Sequence, residues 1–155
     1  MAEEVIKQKK QKKEYTVAVG RRKESVARVR LYASVKADLK WGDVAIKKGE
    51  ILVNGKPIAS YFPSQIQHLS YTEPLRVTNS QNKYAFTIRV VGGGMVGQLD
   101  ATVAAIANVL AKFDSENYRP ILKSKGFLTR DSRIRERRKV GMGGKARRKK
   151  QSPKR

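Results

Sequence analysis

The chain has 155 residues, with 35 Lys and Arg against 13 Asp and Glu, and a formal net charge of +22 at pH 7. That length suits one domain, and so large a field of one sign calls for a polyanionic partner, either nucleic acid or an anionic membrane surface. The lack of Cys excludes disulfides, thiolate metal sites and cysteine nucleophiles and suits a reducing cytosol, while the absence of any run of about 18 apolar residues makes membrane the weaker alternative.

Residues 1–13 (MAEEVIKQKKQKK) have no apolar core of signal-peptide length and no Arg, so they read as a disordered basic arm. A globular domain is expected over residues 14–125. Residues 15–19 (YTVAV) read as a short strand ending at Gly20, followed by Arg21, Arg22 and Lys23 in a turn. Residues 25–33 (SVARVRLYA) alternate cleanly. Ala27, Val29, Leu31 and Ala33 fall on one face, and Arg28, Arg30 and Tyr32 on the other. Guanidinium and phenol groups on a sheet face suit RNA, because they bind phosphate or stack on bases. The ordinary alternative is a solvated face.

Residues 34–48 keep no period and read as an insertion, a long loop or a hairpin, with Trp41 as a packing anchor. Residues 50–53 form a strand that turns at Asn54-Gly55. Pro57 opens a short helix to about Phe62, and a second short helix over residues 65–71 is expected to close before Pro74. His68, with no Cys, Asp or second His nearby, reads as a surface or packing residue.

Residues 83–91 (KYAFTIRVV) form a strand with Tyr84, Phe86, Ile88 and Val90 on one face. Residues 98–113 follow as a helix, with Leu99, Val103, Ile106 and Leu110 on its apolar stripe. A further short helix runs to Lys125, capped by Ser115 or Asn117 and stopped at Gly126. Between strand and helix, residues 92–97 fit G-x-G-x-x-G, the spacing that lets backbone approach a phosphate at a helix start. A dinucleotide fold also needs a second parallel strand carrying an acid for the ribose, and none is expected around Asp114 or Glu116. No P-loop, paired carboxylates, metal-spaced cluster or Ser/His/Asp arrangement stands out, so nothing argues for catalysis, a metal or a cofactor.

From Lys123 to Arg155 the chain concentrates thirteen of its net positive charges. Its only large apolar side chains there are Phe127, Leu128, Ile134, Val140 and Met142. So few cannot offset an ordering cost of roughly 1–2 kcal/mol per residue. Residues 126–155 are therefore expected to form an extended, mobile tail that orders only against dense negative charge. Gly126, Gly141, Gly143 and Gly144 allow it to bend. Asp131 and Glu136 lie within reach of Arg135, Arg137 or Lys139 as pairing partners, or serve only to dilute the charge.

Four blocks, VAVGRRKESVARVRL, ILVNGKPIASYF, VVGGGMVGQ and SKGFLTRDSRIRERRKVG with KARRKKQSPKR, resemble in order the bacterial-type ribosomal protein nine family of the small subunit. The resemblance covers residues 15–155 apart from 34–48. It implies an α+β fold: a two-layer α/β sandwich with a mixed sheet and the left-handed βαβ crossover of the second domain of ribosomal protein S five. It also implies a structural role in the head of the small ribosomal subunit, in the cytoplasm, beside neighbouring ribosomal proteins. Thr129, Arg130, Asp131, Arg133, Glu136 and Arg137 match the family's TRD-x-R-x-x-E-R signature.

Ribosomal RNA is then expected at Arg21, Arg22, Lys23, Arg28, Arg30 and Lys125 and along the tail at Arg130, Arg133, Arg135, Arg137, Arg138, Lys139, Lys145, Arg147, Arg148, Lys149 and Lys150. The terminal Lys154 and Arg155 match the pair that reaches the peptidyl-site tRNA. The ending QSPKR lacks the aromatic of the common QFSKR, the helix after the glycines carries only Lys112 where relatives carry Arg or His, and residues 34–48 exceed the usual connection. Two other classes stay open: a non-ribosomal nucleic-acid chaperone, which would bind duplex DNA and structured RNA equally, and an enzyme of the kinase-like group with the same crossover, which would need a catalytic acid and a magnesium site.

Overall fold

The structure, a computed structural model, describes residues 15–34, 40–42 and 44–137. Its main sheet has five strands: β1 (Thr16–Arg22), β2 (Ser25–Tyr32), β5 (Ile51–Val53), β6 (Lys56–Pro57) and β7 (Ala85–Val91), in the order β1-β2-β7-β5-β6. All neighbours are antiparallel except β5 and β7, so the sheet is mixed. Two residues each in β3 (Lys40–Trp41) and β4 (Val44–Ala45) make a separate hairpin. The helices are α1 (Ile58–Tyr61), α2 (Gln65–Val77), α3 (Met95–Phe113) and α4 (Tyr118–Ser124). The whole is an α+β arrangement.

The core lies between one sheet face and the helices. Ala27, Val29 and Leu31 of β2 meet Phe86, Ile88 and Val90 of β7 there, under Ala101, Ala105, Ile106, Val109 and Leu110 of α3. Each fully buried large apolar side chain contributes about 1.5–3 kcal/mol. The alternation read along residues 25–31 is therefore the observed one: inner positions of β2 are buried, while Arg28 and Arg30 are exposed. Asn54 and Gly55 take φ of 49° and 82°, the left-handed pair that a tight hairpin turn between β5 and β6 requires.

β1 does not end at Gly20 but runs to Arg22, so Arg21 and Arg22 are paired strand residues and the turn is left to Lys23 and Glu24. Four further expectations change. First, α2 does not close before Pro74 but runs to Val77. Pro74 has no N–H to offer the preceding turn; nevertheless Tyr71, Pro74 and Leu75 are buried, and the Thr78 backbone N–H and hydroxyl both donate to the Pro74 carbonyl, at 3.3 and 2.9 Å. Tertiary burial outweighs the local cost. Second, α3 starts at Met95, inside the glycine block, with Gln98 N–H donating to the Gly94 carbonyl at 2.9 Å.

Third, Asn117 stands at the N-cap of α4, but its side chain makes no capping hydrogen bond. The Asp114 carboxylate accepts instead from the Asn117 backbone N–H at 3.0 Å and from its side-chain amide at 2.8 Å. Fourth, Tyr32 is only 6% exposed. The hairpin lies over that end of the outer face, where Trp41 and Val44 pack with Ile46, Leu52, Ala85 and Tyr15 around Tyr32. Trp41 is a packing anchor as expected, and it removes the phenol from the outer surface.

At Gly20 the sheet and α3 approach more closely than any side chain permits. A Cβ there would fall against the Ala101 carbonyl and the Ala105 backbone nitrogen. These are backbone atoms of a helix and cannot swing aside. Gly20→Ala is therefore expected to destabilise the domain by about 3 kcal/mol or more. Val29→Ala, at a fully buried position, should cost about 2–3 kcal/mol. Arg28→Ala and Arg30→Ala should stay within about 0.5 kcal/mol. Denaturant unfolding of the four variants checks the ordering; a large loss at Arg28 or Arg30 would contradict the strand register.

Candidate nucleic-acid interface

Strand register sets out the outer sheet face row by row. Arg21 of β1, Val26 of β2 and Val91 of β7 form one row, since Arg21 opposes Val26 and Val26 opposes Val91. Val19, Arg28 and Arg89 form the next, and Val17, Arg30 and Thr87 the one after. Arg21, Arg28, Arg30 and Arg89 are all exposed, and no ion pair neutralises them among the described residues. The Arg30 guanidinium lies 5.1 Å from the centre of the Tyr15 ring, a cation–π contact that orients it. Lys23 is exposed in the β1–β2 turn with a φ of 50°. Sequence reasoning missed Arg89, yet the signal was present: the alternation that put Phe86, Ile88 and Val90 inward leaves Arg89 outward.

Arg22 is placed differently from its neighbours. Its side chain is 16% exposed and faces α3 and the start of the C-terminal tail. Nε lies 3.5 Å from Asp100 Oδ2 and Nη2 3.0 Å from Asp131 Oδ2, while Nη1 donates to the Arg133 carbonyl at 2.8 Å. Asp131 in turn accepts from the Arg133 backbone N–H at 2.9 Å and takes its guanidinium at 2.7 Å. Asp131 thus pairs with Arg133 and Arg22 rather than with Arg135 or Arg137, while Lys139 lies outside the described residues.

The tail does not leave the domain at Gly126, which has a φ of 78° and ends α4. Phe127 and Leu128 are half-buried against the core, and the Phe127 N–H donates to the Leu122 carbonyl at 3.1 Å. A groove of 680 Å³ opens between this stretch and the β1 edge, with Arg21, Asp100, Asn108 and Arg130 on its walls. Lys125, Arg130, Arg133, Arg135 and Arg137 are exposed. The remaining tail cations, Arg138, Lys139, Lys145, Arg147, Arg148, Lys149, Lys150, Lys154 and Arg155, lie outside the described residues, as does the 1–13 segment.

The glycine block packs against protein. Gly92 and Gly93 have φ of 75° and 64°, and added Cβ atoms would meet the Glu24 carbonyl and the Ser25 hydroxyl. That hydroxyl donates to the Gly92 carbonyl at 3.0 Å, and Gly97 sits beside it in the first turn of α3. The glycines thus let the β7–α3 turn close onto the β1–β2 turn, and α4 rather than a parallel strand follows α3. His68 is exposed, with its ring edge-on to Tyr71 at 5.1 Å. Among the described residues no three His, Cys, Asp or Glu cluster as a metal site would require, and no helix is long and apolar enough to cross a membrane.

Hydrogen bonds from the Arg133 side chain and backbone, reinforced by the nearby Arg133 and Arg22 charges, hold the Asp131 carboxyl well below the usual carboxylate range. A depressed pKa gives stability that is present above the ordinary value and lost as pH falls through the folded one. The difference between wild type and Asp131→Asn in hydrogen exchange at residues 127–133 should therefore be constant near neutrality. It should narrow only below about pH 4. Equal exchange in both proteins at pH 7 would show that the carboxylate does not hold this stretch.

Residues 20–155 match the family described as Ribosomal protein S9/S16. Over 125 residues the chain is 43% identical to the small ribosomal subunit protein uS9 of Leifsonia xyli subsp. xyli (strain CTCB07), covering 81% of this chain and 67% of that protein. Over 144 residues it is 40% identical to the small ribosomal subunit protein uS9 of Arthrobacter sp. (strain FB24), covering 91% of this chain and 78% of that one. The matched region takes in the Gly20 contact, the outward arginines, the glycine turn and the whole basic C-terminus, and on that extent and identity the chain belongs to the ribosomal protein S9 family.

Proposed function

We propose that this chain is a structural component of the small ribosomal subunit that binds ribosomal RNA in the subunit head and extends its C-terminal tail towards the peptidyl-site tRNA. The observation that carries the reading is the distribution of charge in a member of this family: exposed, unneutralised arginines on one sheet face, and a cationic tail rooted on the adjoining edge of the domain. In this role the protein works in the cytoplasm beside other ribosomal proteins of the head and catalyses no reaction. Its cations displace condensed counterions from RNA phosphates, and its arginine forks hold phosphate or base edges bidentately.

The ribosomal RNA set comprises Arg21, Lys23, Arg28, Arg30 and Lys125 and the tail cations from Arg130 to Lys150. Arg22 serves the same surface by holding the tail root. Lys154 and Arg155 are the tRNA-contacting pair. The chain divides into a basic arm (residues 1–13), a domain (14–125) and a tail (126–155), with the tail's first turn seated on the domain. β5 and β7 are parallel strands joined through β6, α1 and α2, and we read that link as the left-handed crossover of the ribosomal protein S five type that the family resemblance implies.

Sedimentation tests the subunit reading: the native protein should co-migrate with small subunits and stay bound in moderate salt, whereas release with the free-protein fraction would contradict it. Truncation after Pro153 tests the tip. Assembly should be intact, because upstream cations still anchor the tail, while peptidyl-site tRNA affinity falls by roughly 1–3 kcal/mol. Filter binding of tRNA to purified subunits reads that loss, and equal affinity would remove Lys154 and Arg155 from the tRNA contact.

A further inference from the structure

We infer that Arg28 and Arg89 form a phosphate clamp on the outer sheet face, a backbone-binding site for RNA separate from the C-terminal tail; the inference rests on the ribosomal reading above. The two residues are direct cross-strand partners in the β2–β7 register, and both are exposed. Opposed residues on antiparallel strands have Cα atoms about 4.5–5.5 Å apart. Like charges at that spacing destabilise the free protein. Among the described residues no carboxylate pairs with either side chain. Asp100 and Asp131 are committed to Arg22, and Glu24, exposed in the β1–β2 turn, forms no ion pair with either arginine among the described residues. An anion lying between the two guanidinium groups relieves the repulsion, and two planar forks match the oxygens of a phosphate.

The rows on either side extend the site. Arg21 lies one row beyond Arg28 and Arg30 one row before it, each step being two residues or about 7 Å along the sheet. Cations therefore recur at regular intervals, as phosphates recur along a nucleic-acid strand. Between them stand Val19, Val26 and Val91; Val19 and Val91 are 40% and 52% exposed. Valine offers no ring for base stacking. Tyr32, the phenol that alternation puts on this face, is covered by the β3–β4 hairpin, and the Tyr15 ring is taken up by its contacts with Tyr32 and Arg30. The surface is thus built for the sugar–phosphate backbone and not for base identity. A regular polyanion fits it better than an acidic protein patch, whose carboxylates follow no such repeat.

The test uses the full-length chain with Arg28→Gln, Arg89→Gln, the double variant and, as a control, Arg76→Gln on α2. Two readouts are combined. Affinity for a transcript of the small-subunit ribosomal RNA head should fall about ten-fold in the double variant. The slope of log K against log salt should shrink by about 0.7–0.9 for each phosphate that the variant no longer neutralises. The melting temperature of the free protein in low salt should rise by about 1–3 °C in each single clamp variant. The control should leave RNA affinity and slope unchanged.

If the wild type binds the transcript and the double variant keeps its affinity and slope, the clamp is overturned and the ribosomal reading stands. A lower melting temperature in both single variants would make the arginines structural and overturn it as well. Failure of the wild type to bind the transcript at all would overturn both.

Discussion

The structure depends on the contact between the Gly20 backbone and the backbone of α3 at Ala101 and Ala105. Small residues on both sides let strand and helix meet without intervening side chains, which sets α3 firmly across β1 and β2. Asn108 and Lys112 on the same helix then reach the Val19 and Val17 carbonyls, each at 3.1 Å, and occupy acceptors on the free edge of the sheet. An edge so covered is a poor template for strand addition. The same approach brings Arg22, at the end of β1, within reach of Asp100 on α3, where Asp131 from the tail root joins them. A second close approach, of Gly92, Gly93 and Gly97 around Ser25, fixes the start of the helix. Glycines spaced like a phosphate cradle thus serve packing.

From that frame follows a separation of tasks between the two sheet faces. The inner face is apolar and buried under helices. The outer face has one end closed by the β3–β4 hairpin around Tyr32 and the other left open with arginines at regular intervals. The protein keeps repulsive charge on that open end and places Asp100 and Asp131 inside the Arg22 cluster. A domain under selection for stability alone would mix the signs. Burying the tail's first turn at Phe127 and Leu128 sets where the cationic tail begins, although the tail is too poor in apolar residues to form a core itself.

Much of this was legible in the sequence where one local rule decided the outcome. Period-two alternation located β2 and β7 and their inward residues, and Asn54-Gly55 announced its turn. The outward position of Arg89 follows from the same alternation, although only its apolar neighbours were read from it. What escaped depended on distant residues. The burial of Tyr32 required the hairpin to fold back over the sheet, and the passage of α2 through Pro74 required a core that offset a missing backbone bond. The Arg22 contact with Arg133 spans 111 positions of chain, so the charge run that marked Arg22 as an RNA contact gave no sign of its carboxylate partners. The expectation of a free tail from Gly126 onward failed at its first residues for the same reason: Phe127 and Leu128, too few for a core of their own, found places on one already built.

The central claim is that the inner packing of this domain exists to present two cationic surfaces, the outer sheet face and a tail rooted at Arg22, to ribosomal RNA. A density map of small ribosomal subunits containing this chain tests it most directly. The account predicts RNA phosphates against the rows of Arg28, Arg89 and Arg30, with the Arg22–Asp131 pair intact where the tail departs. An outer face turned to solvent or covered by another protein, with the tail leaving the domain from a detached root, would contradict it.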